Sequence, residues 1–284
     1  KYKLSRYSFS GHESFQCKSL WLKKGCDFLL AGNRFTDEDA VTKLGVGKNM
    51  VASIRFWLRA FGLTRNDELM PIATYIFDSE NGRDPFAEDI ATLWILHFLL
   101  VTNCISSIYS LTFEELQREK KEFSKSELQN FIKRKCAVPE QKNVYNENTI
   151  RKDIGVLLKN YLAPSDLKSI EDFASLLIGL GLLVHKDNDT YRFREVDAKD
   201  VPNNIIIYSL IWLKGDDKTL SFDQLQRLSL IFCMPVSSLI EVIRKFETEY
   251  PQTLVFSDNS GIKNVHFLND ITWEQVLDKY YDAL

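Results

Sequence analysis

The sequence predicts a mainly α fold built from tandem helix-turn-helix and winged-helix units with small β-hairpin wings. Three observations lead there. Apolar residues recur at helical spacing in segment after segment, a glycine-bearing turn joins two of the first helices, and two short runs of β-forming residues flank polar turns after later helices. With 284 residues, 45% of them hydrophobic, the chain can bury a real core and form two or three compact units.

A polar and aromatic segment over residues 2–15 leads into a helix over 21–30, where Trp21, Leu22, Cys26, Leu29 and Leu30 carry the spacing. Gly32 and Asn33 stop it. Thr36 is positioned to cap a second helix over 37–43, with Asp37, Glu38 and Asp39 in the first turn, where the helix dipole favours acids. Leu44-Gly45-Val46-Gly47 then turns the chain into a third helix over 48–61. At 100° per residue, Met50, Ile54, Trp57 and Phe61 gather on one side of this helix, and Lys48, Ala52, Arg55 and Arg59 line the other.

A second unit begins at Asp84-Pro85, a cap followed by a proline at the first helical position of an apolar helix reaching about residue 101. Charged helices over 114–122 and 125–135 follow, then a loop over 136–148. Ile150, Ile154, Leu157, Leu158 and Tyr161 mark a further helix of the recognition type over 149–161, with Arg151, Lys152 and Lys159 off its apolar stripe. Residues 182–184 and 191–194 flank Asp187-Asn188-Asp189 as a hairpin. The pattern recurs with helices over 204–213, 222–230 and 236–249 and a hairpin from 254–256 and 265–267. The expected domains are 1–83, 84–200 and 201–284.

Charge is distributed unevenly. Net charge is −3, yet residues 1–65 carry twelve Lys/Arg against five Asp/Glu, a net of +7, and the remainder a net of −10. Between residues 43 and 65 there are five basic residues and no acid. One end therefore suits a polyanion and the acidic third unit suits protein docking. Lys43, Lys48, Asn49, Arg55 and Arg59 are the candidate DNA-binding residues. Gly45, Gly47 and Lys48 lack the spacing of a nucleotide-binding phosphate loop.

Other classes are disfavoured. The five cysteines are scattered, without CxxC or a Cys/His cluster, and read as reduced core thiols of a cytoplasmic protein. The apolar run over 90–105, interrupted by His97 and Asn103, falls short of the roughly 20 residues of a membrane span. No membrane partner is expected.

Four stretches carry a family resemblance: FSGHESF at 9–15, WLKKG at 21–25, LGVGKNMVASIRFW at 44–57 and DPFAEDIATLWILHF at 84–98. In this order they resemble the bacterial family catalogued as the domain of unknown function numbered four thousand and seven, over essentially the whole chain. The resemblance implies a magnesium-dependent DNA nickase in systems that put sulfur into the DNA backbone, with antiphage defence as the outcome. It also implies a cysteine desulfurase, an ATPase and an ATP-pyrophosphatase-like protein as partners.

Magnesium-assisted phosphodiester cleavage needs carboxylates for the metal and a positioned base or water. His12 is the candidate general base, with Glu13 as catalytic partner and metal ligand; Asp84, Glu88 and Asp89 are further candidate ligands for Mg2+. Each group has a plainer alternative. His12 and Glu13 can tie the N-terminal arm to the body, and acids at a helix start are what any helix prefers. His97, His185 and His266 read as structural. The residues taken alone favour a non-catalytic DNA-binding adaptor or transcriptional regulator, which needs no active site.

Overall fold

The computed structural model describes residues 6–164 and 175–284; residues 2–5 of the opening polar segment lie outside them. The chain is mainly helical with small antiparallel sheets, and divides into two compact units, Lys1–Arg194 and Glu195–Leu284.

The first unit opens with α1 (Trp21–Leu30), α2 (Ala40–Leu44) and α3 (Lys48–Ala60). Helix α2 starts later than its acidic residues predict, with Asp39 and not Thr36 at its cap position. The Asp37 carboxylate instead folds back onto the Arg34 backbone N–H at 2.8 Å, and that bond holds its pKa below the ordinary value. Gly45, at φ 66°, closes α2 in the left-handed conformation and releases the chain into α3. Helix α1 lies tightly on α3: a Cβ on Gly25 would fall 2.7 Å from Leu58 Cδ1. A two-residue hairpin, β1 (Thr64–Arg65) and β2 (Glu68–Leu69), and α4 (Pro71–Phe77) complete this part.

Helix α5 (Ile90–Thr102) is the core of the unit, with every residue after Ile90 buried. Asp84 does not cap it. Ala87 takes φ 51°, which interrupts a helix started at 84, and Asp89 is the cap, accepting Ala91 N–H at 2.8 Å. Asp89→Ala is expected to cost about 1 kcal/mol, seen as a lower melting temperature by circular dichroism.

The charged helix expected over 114–122 begins earlier and ends earlier. It runs as α6 (Ser107–Ser110), a π-helical stretch Leu111–Leu116, and α7 (Gln117–Glu119). Its expected end is strand β3 (Glu122–Ser124), paired with a partner some seventy residues on. Then come α8 (Lys125–Lys135), α9 (Glu147–Tyr161), β4 (Leu183–His185) and β5 (Thr190–Phe193). Rings link these elements into one core: Trp57 against Tyr109, Tyr109 and Phe113 against Tyr161, His97 and Phe193 against Phe113. Segments on both sides of residue 83 thus share one interior.

The second unit contains α10 (Asn203–Lys214), β6 (Thr219–Ser221), α11 (Phe222–Ile231), α12 (Val236–Glu249), β7 (Leu254–Asn259), β8 (Ile262–Phe267) and α13 (Trp273–Tyr281). Both units contain the same succession of strand, two helices and hairpin. The sheet orders match as well, β3-β5-β4 and β6-β8-β7, each with the hairpin's second strand in the centre. Even the joints agree: Ser124 and Ser221 each end a strand and cap the next helix through a reciprocal capping box. All five cysteines are unbridged. Among the described residues, no single helix is long and apolar enough to cross a membrane.

Candidate nucleic-acid interface

Helix α3 has two faces with different work. Its buried face holds the N-terminal arm: Ser53 Oγ donates to the His12 carbonyl at 2.9 Å, and Trp57 Nε1 donates to the Phe15 carbonyl at 3.2 Å. Gly11, at φ 112°, lets the arm cross Phe56, because a Cβ there would come within 2.6 Å of the ring. The opposite face is open, and Lys48, Asn49, Ala52, Arg55 and Arg59 are all exposed. This is the division the wheel predicts, except that Met50 is half-buried.

The open face forms one wall of a groove of about 570 Å³, lined among others by Lys48, Arg55, Arg59 and Gly11. The other wall is the β1–β2 hairpin. Asn66 and Asp67, both left-handed at φ 52° and 63°, make its two-residue turn, as side chains that tolerate that conformation do. The turn aims the Asp67 carboxylate at Arg55, which donates to it from Nε at 2.9 Å and Nη2 at 2.6 Å. Asp67 raises the Arg55 pKa further above its already high value. Both partners remain partly exposed, at 46% and 37% of their side chains, so the pair contributes about 0.2–1 kcal/mol. That is a weak hold. Lys43 is similarly paired with Asp39 at 2.9 Å on the exposed surface. Lys48 and Arg59 have no acidic partner among the described residues, and Arg59 lies over the Phe56 ring.

His12 is placed differently. Its ring is buried beside Phe56 and Trp57, and Nε2 lies 2.6 Å from Asp153 Oδ1 of α9. Nδ1 accepts the Ser14 N–H at 3.0 Å, so the hydrogen bonds assign the ring proton to Nε2, as donor to Asp153. Burial raises the Asp153 pKa, opposed by the His12 hydrogen bond, and its second oxygen has no partner. Glu13 is next in sequence but exposed, at φ 49°.

The candidate metal ligands do not gather. Among the described residues no three His, Cys, Asp or Glu side chains are arranged to hold an ion. Asp84 accepts the Glu88 and Asp89 N–H groups at 3.0 and 2.9 Å, Asp89 caps α5, and Glu88 points to solvent. Both oxygens of Asp84 and one of Asp89 accept backbone N–H groups, and these acids are not assembled with other ligands around an ion site among the described residues. Of the remaining histidines, His97 is buried and bonded to the Tyr161 hydroxyl at 2.6 Å, and His185 and His266 lie in strands β4 and β8.

Asp67 and Asp153 are the residues that sequence reasoning missed. Asn66-Asp67 between two extended pairs is a readable hairpin signal. Asp153 gave no such sign, since nothing local distinguishes it from a solvated acid on a helix.

Two solved structures resemble the fold. One, described as "SspB crystal structure", has 26% identity and a TM-score of 0.81; the other, "Magnesium ion-bound SspB crystal structure", has 24% identity and a TM-score of 0.80. Each match covers 97% of this chain and 88% of the other. A comparison with curated proteins gives no match. The sequence profile described as "Protein of unknown function (DUF4007)" matches residues 9–281, and the chain belongs to that family.

Proposed function

We propose that this protein grips duplex DNA through the cationic face of α3 and serves a bacterial system that places sulfur in the DNA backbone. One observation carries the reading: Lys48, Arg55 and Arg59 stand exposed along a groove whose only lining carboxylate among the described residues is Asp67. Phosphate oxygens match such a row of donors, and releasing counterions from DNA favours the contact. Asn49 adds a neutral donor beside Lys48, and Lys43 joins once it leaves Asp39. The repeated order of strand, two helices and hairpin supports a winged-helix reading of both units.

The finer reading is a magnesium-dependent nickase in antiphage defence, working beside a cysteine desulfurase, an ATPase and an ATP-pyrophosphatase-like protein. The four-motif resemblance supports it, as does the magnesium ion in one SspB structure. On this reading His12 and Glu13 would act at the cut, with Asp84, Glu88 and Asp89 as further ligands. No hydrolytic step is routed through these side chains, because they are not assembled around a common point. A DNA-binding adaptor or regulator is the second reading, favoured by that scatter.

Supercoiled plasmid mixed with the purified chain separates them. Open-circle product with magnesium, absent with EDTA and absent in Glu13→Ala or Asp84→Ala, supports the nickase. Binding in a gel shift without nicking under any divalent ion supports the adaptor. A chain that leaves duplex DNA unshifted at low salt defeats the DNA reading.

A further inference from the structure

Helix α9 carries a second cationic stripe. Asn148, Arg151, Lys152 and Lys159 are exposed, and with Gly155 they fall within an arc of about 100° on the helix wheel. The opposite arc, from Ile150 through Ile154 and Leu157 to Tyr161, is buried. No acid lies on the exposed arc. Glu147, at its edge, reaches only Arg151, at 3.2 Å between largely exposed groups. Neither Lys152 nor Lys159 is held by an acid among the described residues.

Gly155 occupies the middle of this stripe. Glycine weakens a helix interior, and a fold keeps it there where a positive φ or a crowded Cβ requires it. Neither applies. Gly155 has no left-handed φ, and a Cβ on it would meet nothing within 4 Å. What the missing side chain leaves is partly exposed backbone at the centre of a row of cations. The α3 stripe is comparable in one respect, a small exposed residue, Ala52, lying among Lys48, Arg55 and Arg59.

We propose that α9 is a second DNA-contacting face: Arg151, Lys152 and Lys159 bind the phosphates of duplex DNA, and Gly155 lets the sugar-phosphate backbone approach the helix. The site lies outside the α3 groove and its charges belong to α9 itself, but as a DNA contact it rests on the DNA-binding reading proposed above.

Fluorescence anisotropy of a labelled duplex titrated with the full chain at several salt concentrations tests this. Lys152→Ala/Lys159→Ala is expected to weaken binding about tenfold and to reduce the slope of log K against log salt by about 2. Gly155→Gln is expected to weaken binding while holding or raising the melting temperature, because the fold has room for the added side chain. Wild-type affinity and slope in the double variant overturn the proposal, as does wild-type affinity in Gly155→Gln. If Arg55→Ala/Arg59→Ala loses affinity and the α9 variants do not, the α3 reading stands and this one falls. A wild-type chain that fails to bind the duplex sinks both.

Discussion

His12→Ala is expected to lower the unfolding free energy by about 3–5 kcal/mol, measured as a fall in the urea midpoint followed by tryptophan fluorescence. The reason is the group left behind. Asp153 is buried, one oxygen already lacks a partner, and His12 is the donor to the other. The variant also removes a ring packed beside Trp57 and Phe56. Asp153→Asn is the contrast, since an amide oxygen still accepts the Nε2 proton and no buried charge remains. Its cost is expected to be much smaller. A His12→Ala midpoint within error of wild type would mean that the pair does not anchor the arm.

The same pair makes a pH prediction with an unusual sign for a carboxyl. Burial raises the Asp153 pKa in the folded chain, so the folded state holds this proton to higher pH than the unfolded state does. Between the two values the folded state binds more protons, and stability from this group falls as pH rises; above the folded value the loss is complete. Asp153→Asn removes the loss. Urea midpoints taken upward from about pH 4, near the unfolded carboxyl value, are expected to show the variant gaining on wild type. A constant difference across the series would count against a raised carboxyl pKa.

Replacing Lys48, Arg55 and Arg59 together by alanine is expected to weaken duplex binding about a hundredfold and to flatten the salt dependence by about three units of slope. Affinity should fall alike on unrelated sequences, because these contacts read phosphate and not base edges. Exposed substitutions of this kind change stability by only about 0.5 kcal/mol, so a lost fold would not explain the result. Asp67→Asn is expected to act in the opposite direction. Freeing Arg55 from a pair worth about 0.2–1 kcal/mol corresponds to at most about fivefold tighter binding. Unchanged anisotropy curves in the triple variant would remove α3 from the interface.

The two faces of α3 were legible in the sequence because they arise from a local period: a helix turns 100° per residue wherever it forms, and burial follows the apolar side. The same held for α8 and α12, whose observed limits equal the expected ones, and for both hairpins. Strands β3 and β6 were not legible. Each is three residues long, too short for alternation to register, and each exists because a hairpin far along the chain supplies its hydrogen bonds. The start of α5 was misread for a related reason, as Asp84 and Asp89 are both good caps and the left-handed turn at Ala87 chooses between them.

By itself the sequence determined the mainly helical class, the two-sided helix expected over 48–61, the basic N-terminal bias and the family resemblance, all of which depend on neighbours in the chain. Tertiary structure alone decided that His12 is matched to Asp153, that Asp67 meets Arg55, and that the acids at 13, 84, 88 and 89 form no common centre. Those outcomes hinge on which distant segments share a core. Pair energies of side chains far apart in sequence are set by packing, and no local period encodes them.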